Sequence, residues 1–434
     1  MPGGQVTEYG LITDAKGGMT SHPEGQTPPR RLESVDILRG LALLGMLAAH
    51  FHYYPSHHFK TLLGEAAINF VLDYFVGGRF YPLFALLFGI GFALQFERNG
   101  DRPGFFKMYV RRLMALAGFG IAVNALTGFS VLELYAFWGF FLLIVRRWSN
   151  RALIILALVL IMAYPAMTTV KFVRDNCGLS VEESNARYKR VLAEEAAARK
   201  ADQPARQKED KIKREGPFPA LMGIRLKDTL ELYKNPLIPP LNVLPIFIFG
   251  LIAVRRKVLE MPDANQRFLW LVLGAAVFLS AASLFLYRLM PTAPSLAVDP
   301  HGFRLYYARA AYIYAPLNLG ESFWQGLAYA VALVLLVSRF PAVRRFVSPL
   351  GYAGRMSLTN YIVQVAFLEL MFGWLWLNIP VTRAWALAGT FGLFAGQILL
   401  SRWWITRFRY GPFEWLWRSL TYARWESIRQ RPER

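Results

Sequence analysis

A chain of 434 residues that is 55% hydrophobic and 15% aromatic, with positive mean hydropathy, is not composed like a water-soluble domain. Several apolar runs reach the roughly 20 residues needed to cross a bilayer, so the expected fold class is all-α, a polytopic integral membrane helical bundle. The net charge of +20 sits mainly in short loops between those runs, which argues against nucleic acid and for basic loops held in the cytoplasm.

Residues 1–30 are polar, rich in Gly, Pro and Thr, and lack an apolar h-region; a disordered cytoplasmic tail without a cleavable signal is predicted. Ten spans follow, at 36–53, 79–96, 110–127, 129–146, 151–169, 237–255, 267–289, 320–338, 350–377 and 384–406. Five belong to an N-terminal membrane half, 31–170, and five to a C-terminal half, 237–408. Arg98, Arg102, Lys107, Arg111 and Arg112 fill one loop, and Arg146, Arg147 and Arg151 the next on that side. Arg255, Arg256 and Lys257 follow, then Arg339, Arg344 and Arg345, then Arg407 and Arg409. The short loops near 128 and 378–383 carry almost no charge, so ten spans with both termini cytoplasmic satisfy every short loop.

The first span, within RLESVDILRGLALLGMLAAHFHYY at 31–54, carries ionisable groups at both ends. Eleven helical steps bring His50 to within about 20° of Arg39, roughly 16 Å away along the axis. Charged groups at that depth are costly in hydrocarbon and face a protein interior or a water-filled cavity. A histidine near neutral pKa can take a proton from a hydroxyl or amine, which makes His50 a candidate general base; the bland alternative is an interfacial anchor. Arg39 can hold phosphates or a carboxylate, or else snorkel or pair with Asp36 three residues earlier. His57 and His58 fall in the next loop, where solvated histidines are the default. As a metal cluster HFHYYPSHH is weak, Cys177 is the single cysteine, and neither a metal nor a bound cofactor is expected.

In 61–78, Glu65, Asn69 and Asp73 recur every fourth residue and form one polar stripe. An eleventh span there would put the basic loop at 98–112 outside, so an amphipathic helix on the outer surface is predicted instead. Asp73 or Glu65 is placed to orient the His50 imidazole as carboxylates do in triads. Residues 171–236 form the largest hydrophilic insertion, a solvated extracytoplasmic helix carrying (i, i+4) charge pairs. GRMSLTNYIVQ at 354–364 opens the ninth span with Arg355, Asn360 and Gln364; the last two are either polar glue between helices or part of a substrate path. RYGPFEWLWRSLTY at 409–422 begins an aromatic interfacial segment, 409–434.

Four stretches, VDILRGLALLGML, RFYPLFALLFGIGFALQFER, GRMSLTNYIVQ and RYGPFEWLWRSLTY, together resemble the YeiB-like membrane proteins, over about Arg31 to Tyr422. That family is a domain of unknown function, grouped with transmembrane acyltransferases such as the acyltransferase-three proteins and the lysosomal heparan glucosaminide acetyltransferase. Those relatives move acyl groups from cytoplasmic acyl-CoA to a sugar-type acceptor beyond the membrane. Arg39, ten residues and then His50 match the arginine–histidine spacing of the acyltransferase-three first helix, whose histidine is held to be catalytic. The YeiB-like pattern has Asn where this chain has His50. In the heparan enzyme, too, an Asn occupies that place and the working histidine comes later, nearer His57 or His58. Asp73 loosely matches an aspartate in the same relative position.

The resemblance implies the bacterial cytoplasmic membrane and transfer of an acyl group from acyl-CoA to an external hydroxyl or amine on a glycan, lipid or small metabolite. His50, or the His57–His58 pair, is the expected base, with Asp73 or Glu65 behind it. Arg39 and Arg355 would line the inner mouth and hold donor phosphates, with Glu65, Asn360 and Gln364 as further binding residues. The rival class is a transporter or permease, since buried ionisable groups serve a solute path equally well. A third is a scaffold whose long outer loop binds partners.

Overall fold

The computed structural model describes residues 32–53, 65–234, 243–289, 315–372 and 383–429. The expectations for residues 1–31 and for His57 and His58 lie outside them. Every regular element among the described residues is a helix: α1 Glu33–Tyr53, α2 Glu65–Val71, α3 Tyr81–Asn99, α4 Phe105–Thr127, α5 Leu132–Val145 and α6 Asn150–Asn176. The insertion supplies α7 Val181–Glu215 and α8 Phe218–Lys234. Then come α9 Val243–Arg255, α10 Gln266–Leu289, α11 Ala315–Arg339, α12 Pro341–Val347, α13 Leu350–Arg355, α14 Ser357–Phe372, α15 Arg383–Ile405 and α16 Pro412–Tyr422.

The chain is a membrane protein by its apolar helices, but the span list needs correcting. Among the described residues six helical segments are long and apolar enough to cross: Glu33–Phe51, Ala67–Asn99, Phe105–Thr127, Gln266–Phe285, Ser322–Arg339 and Ala384–Ile405. Leu132–Val145, Asn150–Ala163 and Val243–Arg255 are shorter apolar helices. The 14 residues of α5 rise only roughly 21 Å against a hydrocarbon core of about 30 Å. The single span expected at 350–377 is two helices, because Met356 leaves helical geometry (φ −113°, ψ 40°) and the chain restarts at Ser357.

Close backbone packing accompanies that break. A Cβ on Gly354 would stand 1.9 Å from the Asp36 carbonyl oxygen, and one on Gly40 would stand 2.1 Å from the Leu350 carbonyl oxygen. Two glycines thus let α1 and α13 meet backbone to backbone, as small residues do between membrane helices. The neighbours of those glycines are Arg39 and Arg355, so the same contact brings two cations together. Gly354→Val is expected to lower the thermal midpoint in detergent by several degrees, because an overpacked core costs about 1–3 kcal/mol. An unchanged melting curve would remove this account of the contact.

The basic loops gather at one end, as the charge pattern requires. Arg255 at the end of α9 donates to the carbonyls of Arg146 and Trp148 (2.7 Å for the latter) and to Asn150 Oδ1 at 3.0 Å. Arg344 on α12 pairs with Glu33 at the start of α1.

At the opposite end, α2 runs into a π turn, Leu72–Val76, before α3 begins. The wider turn leaves carbonyls to be met from elsewhere. Gln325 Nε2 donates to the Tyr74 carbonyl at 2.9 Å and the Tyr329 hydroxyl to that of Phe75 at 2.9 Å, while Arg79 donates to Ser322 Oγ at 2.8 Å. The π turn is therefore fastened to α11 through the carbonyls of Tyr74 and Phe75. Phe70, Val71 and Phe75 remain exposed.

Candidate functional site

Two cavities lie along the same side of α1. The first, of about 220 Å³, opens at the arginine-rich end and is surrounded by α1, α3, α4, α5, α13 and α14, with α16 across one side. Arg39, Arg112 and Arg355 converge on it from three helices, beside Tyr109, Ser357 and Tyr361. Arg39 Nη1 also pairs with Asp36 Oδ1 at 3.2 Å, and Asp36 is buried. Pairing with Asp36 and lining a cavity therefore coexist in one side chain.

The C-terminal helix closes this cavity by specific bonds. Glu414 reaches the first turn of α14, where it accepts the Leu358 N–H at 2.6 Å, the Thr359 N–H at 3.1 Å and the Thr359 hydroxyl at 2.5 Å. A carboxylate suits that position because helix N-termini carry unmet N–H groups and a partial positive charge. Trp417 Nε1 donates to the Arg112 carbonyl at 2.9 Å, and the Arg112 guanidinium lies 3.6 Å from the centre of the Trp417 ring. Burial raises the Glu414 carboxyl above the ordinary glutamate value, against the hydrogen bonds from Thr359 and Leu358. A raised folded value makes the neutral form the stabilising one; its contribution is complete below the unfolded value and is lost as pH rises through the folded one. The melting temperature is therefore expected to fall with rising pH just above 4.5, the ordinary glutamate value, and Glu414→Gln to flatten that step in a pH series of thermal melts.

The second cavity, of about 490 Å³, sits at the other end of α1 beside His50. Its walls are Met46, Ala49, Phe80, Phe129, Val131, Val365, Leu368 and Gly78, with Tyr81 and Thr127. The Phe129 ring meets the imidazole edge-on with centroids 4.7 Å apart. His50 Nδ1 is buried and has no hydrogen-bond partner among the described residues. Met46 and Val131 wall both cavities, so the arginine-lined cavity and the histidine-lined one adjoin at these two side chains.

The expected site residues thus divide. Arg39 and Arg355 share the first cavity and His50 lines the second. Asp73 is exposed on the outer π turn and does not bond His50 Nδ1, so the expected orienting pair is not formed there. Glu65 begins α2, and its side chain is outside the described set. Asn360 and Gln364 line neither cavity. Asn360 Nδ2 donates to Ser401 Oγ and to the Ala353 carbonyl, both at 3.0 Å; Gln364 Nε2 donates to Gln397 Oε1 at 2.8 Å. They tie α14 to α15. Among the described residues no group of three His, Cys, Asp or Glu side chains could hold a metal ion.

Sequence reasoning missed three features. Arg112 was counted as a loop charge, yet its cation–π contact with Trp417 holds it at the cavity. The second is Glu414, a carboxylate in the otherwise aromatic and basic 409–422 motif, which signals a specific contact. The third is a buried ion pair: Arg225 on α8 meets Glu369 on α14 at 2.7 Å, with side chains 12% and 3% exposed. Arg225 also donates to the Leu126 carbonyl and packs on Gly128, at the rim of the His50 cavity. So the insertion is divided: α7 is exposed, whereas α8 buries Leu221 and Ile224 and is docked.

Comparison with known proteins relates two parts of the chain to two different families. Residues 31–177 match the family described as "Heparan-alpha-glucosaminide N-acetyltransferase, catalytic". Residues 253–424 match "Protein of unknown function (DUF418)". The chain is 26% identical to "Uncharacterized protein YxaH" of Bacillus subtilis over 92% of its own length and 96% of that protein. It is 25% identical to an "Uncharacterized 39.9 kDa protein in amylase 3'region" of Bacillus acidopullulyticus, over 91% and 94%. "Uncharacterized protein YeiB" of Escherichia coli is 38% identical over 24% of this chain and 27% of that one. No solved structure matches the chain. The resemblance to the YeiB-like proteins and to the heparan acetyltransferase family therefore stands, each on its own part of the sequence.

Proposed function

We propose that the protein is a membrane acyltransferase that takes an acyl group from cytoplasmic acyl-CoA and passes it to a hydroxyl or amine beyond the membrane. The observation that carries this reading is the pair of cavities meeting at Met46 and Val131 along α1; Arg39, His50 and both shared residues lie within the part of the chain that matches the acetyltransferase family, while Arg355 and Val365 come from outside it. The arginine-rich end faces the cytoplasm in this reading, and the membrane is the bacterial inner one. Arg39, Arg112 and Arg355 bind the donor's phosphates, which guanidinium groups recognise well. A cavity of about 220 Å³ is below the roughly 300 Å³ of ordinary ligand pockets, so the nucleotide stays outside and only the narrow arm enters.

The arm places the thioester beside His50. The imidazole takes the proton of the acceptor hydroxyl or amine as that oxygen or nitrogen bonds to the acyl carbon. The carbon–sulfur bond then breaks, and the departing thiolate receives the proton from the imidazolium. Among the described residues no hydrogen-bond partner competes for His50 Nδ1, which supports this role. His57 and His58, in the adjoining loop, are the named competitors for this role.

The test uses proteoliposomes with radiolabelled acyl-CoA on one side and a panel of hydroxyl and amine acceptors on the other. Label appearing on an acceptor across the bilayer, with stoichiometric CoA left behind, is the expected result. Accumulation of an unmodified solute with no need for CoA would replace the reading by a transporter.

A further inference from the structure

We infer that the cavity beside His50 holds the hydrocarbon chain of the donor's acyl group, so that the group moved is a medium- or long-chain acyl rather than an acetyl. The consequence for transfer rests on the function proposed above; the nature of the occupant does not.

The walls decide the chemistry. Met46, Ala49, Phe80, Phe129, Val131, Val365 and Leu368 offer nothing to a polar ligand. The Thr127 hydroxyl is already used, donating to the Val123 carbonyl at 2.9 Å and lying 3.0 Å from the Phe129 carbonyl. That leaves His50 and Tyr81 to meet whatever enters. A sugar ring carries a hydroxyl on most of its carbons, and each left unpaired in such a place costs about 1–3 kcal/mol. A hydrocarbon chain costs nothing of that kind and gains roughly 0.8 kcal/mol per buried methylene.

Size and placement agree. At about 490 Å³ the cavity is within the roughly 300–1,000 Å³ of small-molecule sites, more than an acetyl group needs. It adjoins the arginine-lined cavity at Met46 and Val131, so one extended molecule, anionic at one end and apolar at the other, fits both. A polar acceptor then approaches His50 from the outer rim, where Gly78 and Phe129 lie.

Binding of acetyl-, octanoyl- and lauroyl-CoA to the full-length protein in nanodiscs tests this, with Ala49→Phe and Val365→Phe filling the cavity from opposite walls. Lauroyl-CoA is expected to bind at least tenfold more tightly than acetyl-CoA to the unmodified protein. Both variants should erase that gain, so that each binds lauroyl-CoA no more tightly than it binds acetyl-CoA. Equal affinity for all chain lengths overturns the inference, as does a gain that survives in both variants, which would trace it to the bilayer. If no acyl-CoA binds but free lauric acid does, and Ala49→Phe abolishes this, the occupant is as inferred and the transfer reading fails. If acetyl transfer proceeds and both fillings leave every chain length unaffected, the transfer reading stands and this inference falls.

Discussion

His50→Ala is expected to lower acyl transfer by about 10²–10⁴-fold, the usual worth of a positioned general base, while acyl-CoA affinity stays within twofold. The expectation follows from the separation of tasks along α1. Phosphates are met by Arg39, Arg112 and Arg355 at one end, and the imidazole lies roughly 16 Å further along, beyond Met46. Removing the ring leaves the arginine cluster and its pairing with Asp36 intact, so binding and chemistry should part company. Stopped-time assays of product beside equilibrium binding of the same donor measure both. Full activity in His50→Ala with loss in His57→Ala or His58→Ala would move the base to the loop. Full activity in the triple variant would end the histidine mechanism altogether.

Arg225→Ala is expected to cost stability, at about 3–5 kcal/mol, because it takes from buried Glu369 its ion-pair partner at 2.7 Å. Glu369 is 3% exposed and 144 residues away in sequence, so the pair closes a long loop as well as balancing charge. Its loss frees Arg225's hold on the Leu126 carbonyl and loosens α8 from the rim of the His50 cavity. Thermal melts should show the destabilisation, and limited proteolysis should show faster cutting between 216 and 234. The double variant Arg225→Met, Glu369→Leu removes both charges and is expected to recover most of the loss. A double variant as unstable as Arg225→Ala would mean that the charges themselves, rather than their mutual balance, hold the helix down.

Much of the candidate site was written along single helices. The spacing of Arg39 and His50 follows from 3.6 residues per turn, and both residues do line cavities on one side of α1. Asn360 and Gln364 were flagged because amides cannot face lipid, and the sequence left open whether they bind solute or helix; Ser401 and Gln397 supply the answer. The stripe of Glu65, Asn69 and Asp73 was legible as a helix, but a π turn cannot be seen in a four-residue period, and it leaves Asp73 facing outward.

By itself, then, the sequence determined the membrane class, the helical character and the residues sharing a face of the first helix. These are local properties, set by apolar run length and helical period. Only the tertiary structure decided which helices are neighbours. Arg112 joins Arg39 and Arg355, Glu414 caps α14 across 56 residues, and Arg225 finds Glu369, because backbone contacts at Gly40 and Gly354 and the packing of α4 against α8 and α16 choose one arrangement. Periodicity says which way a side chain leaves its own helix; it carries no record of the helix it will meet.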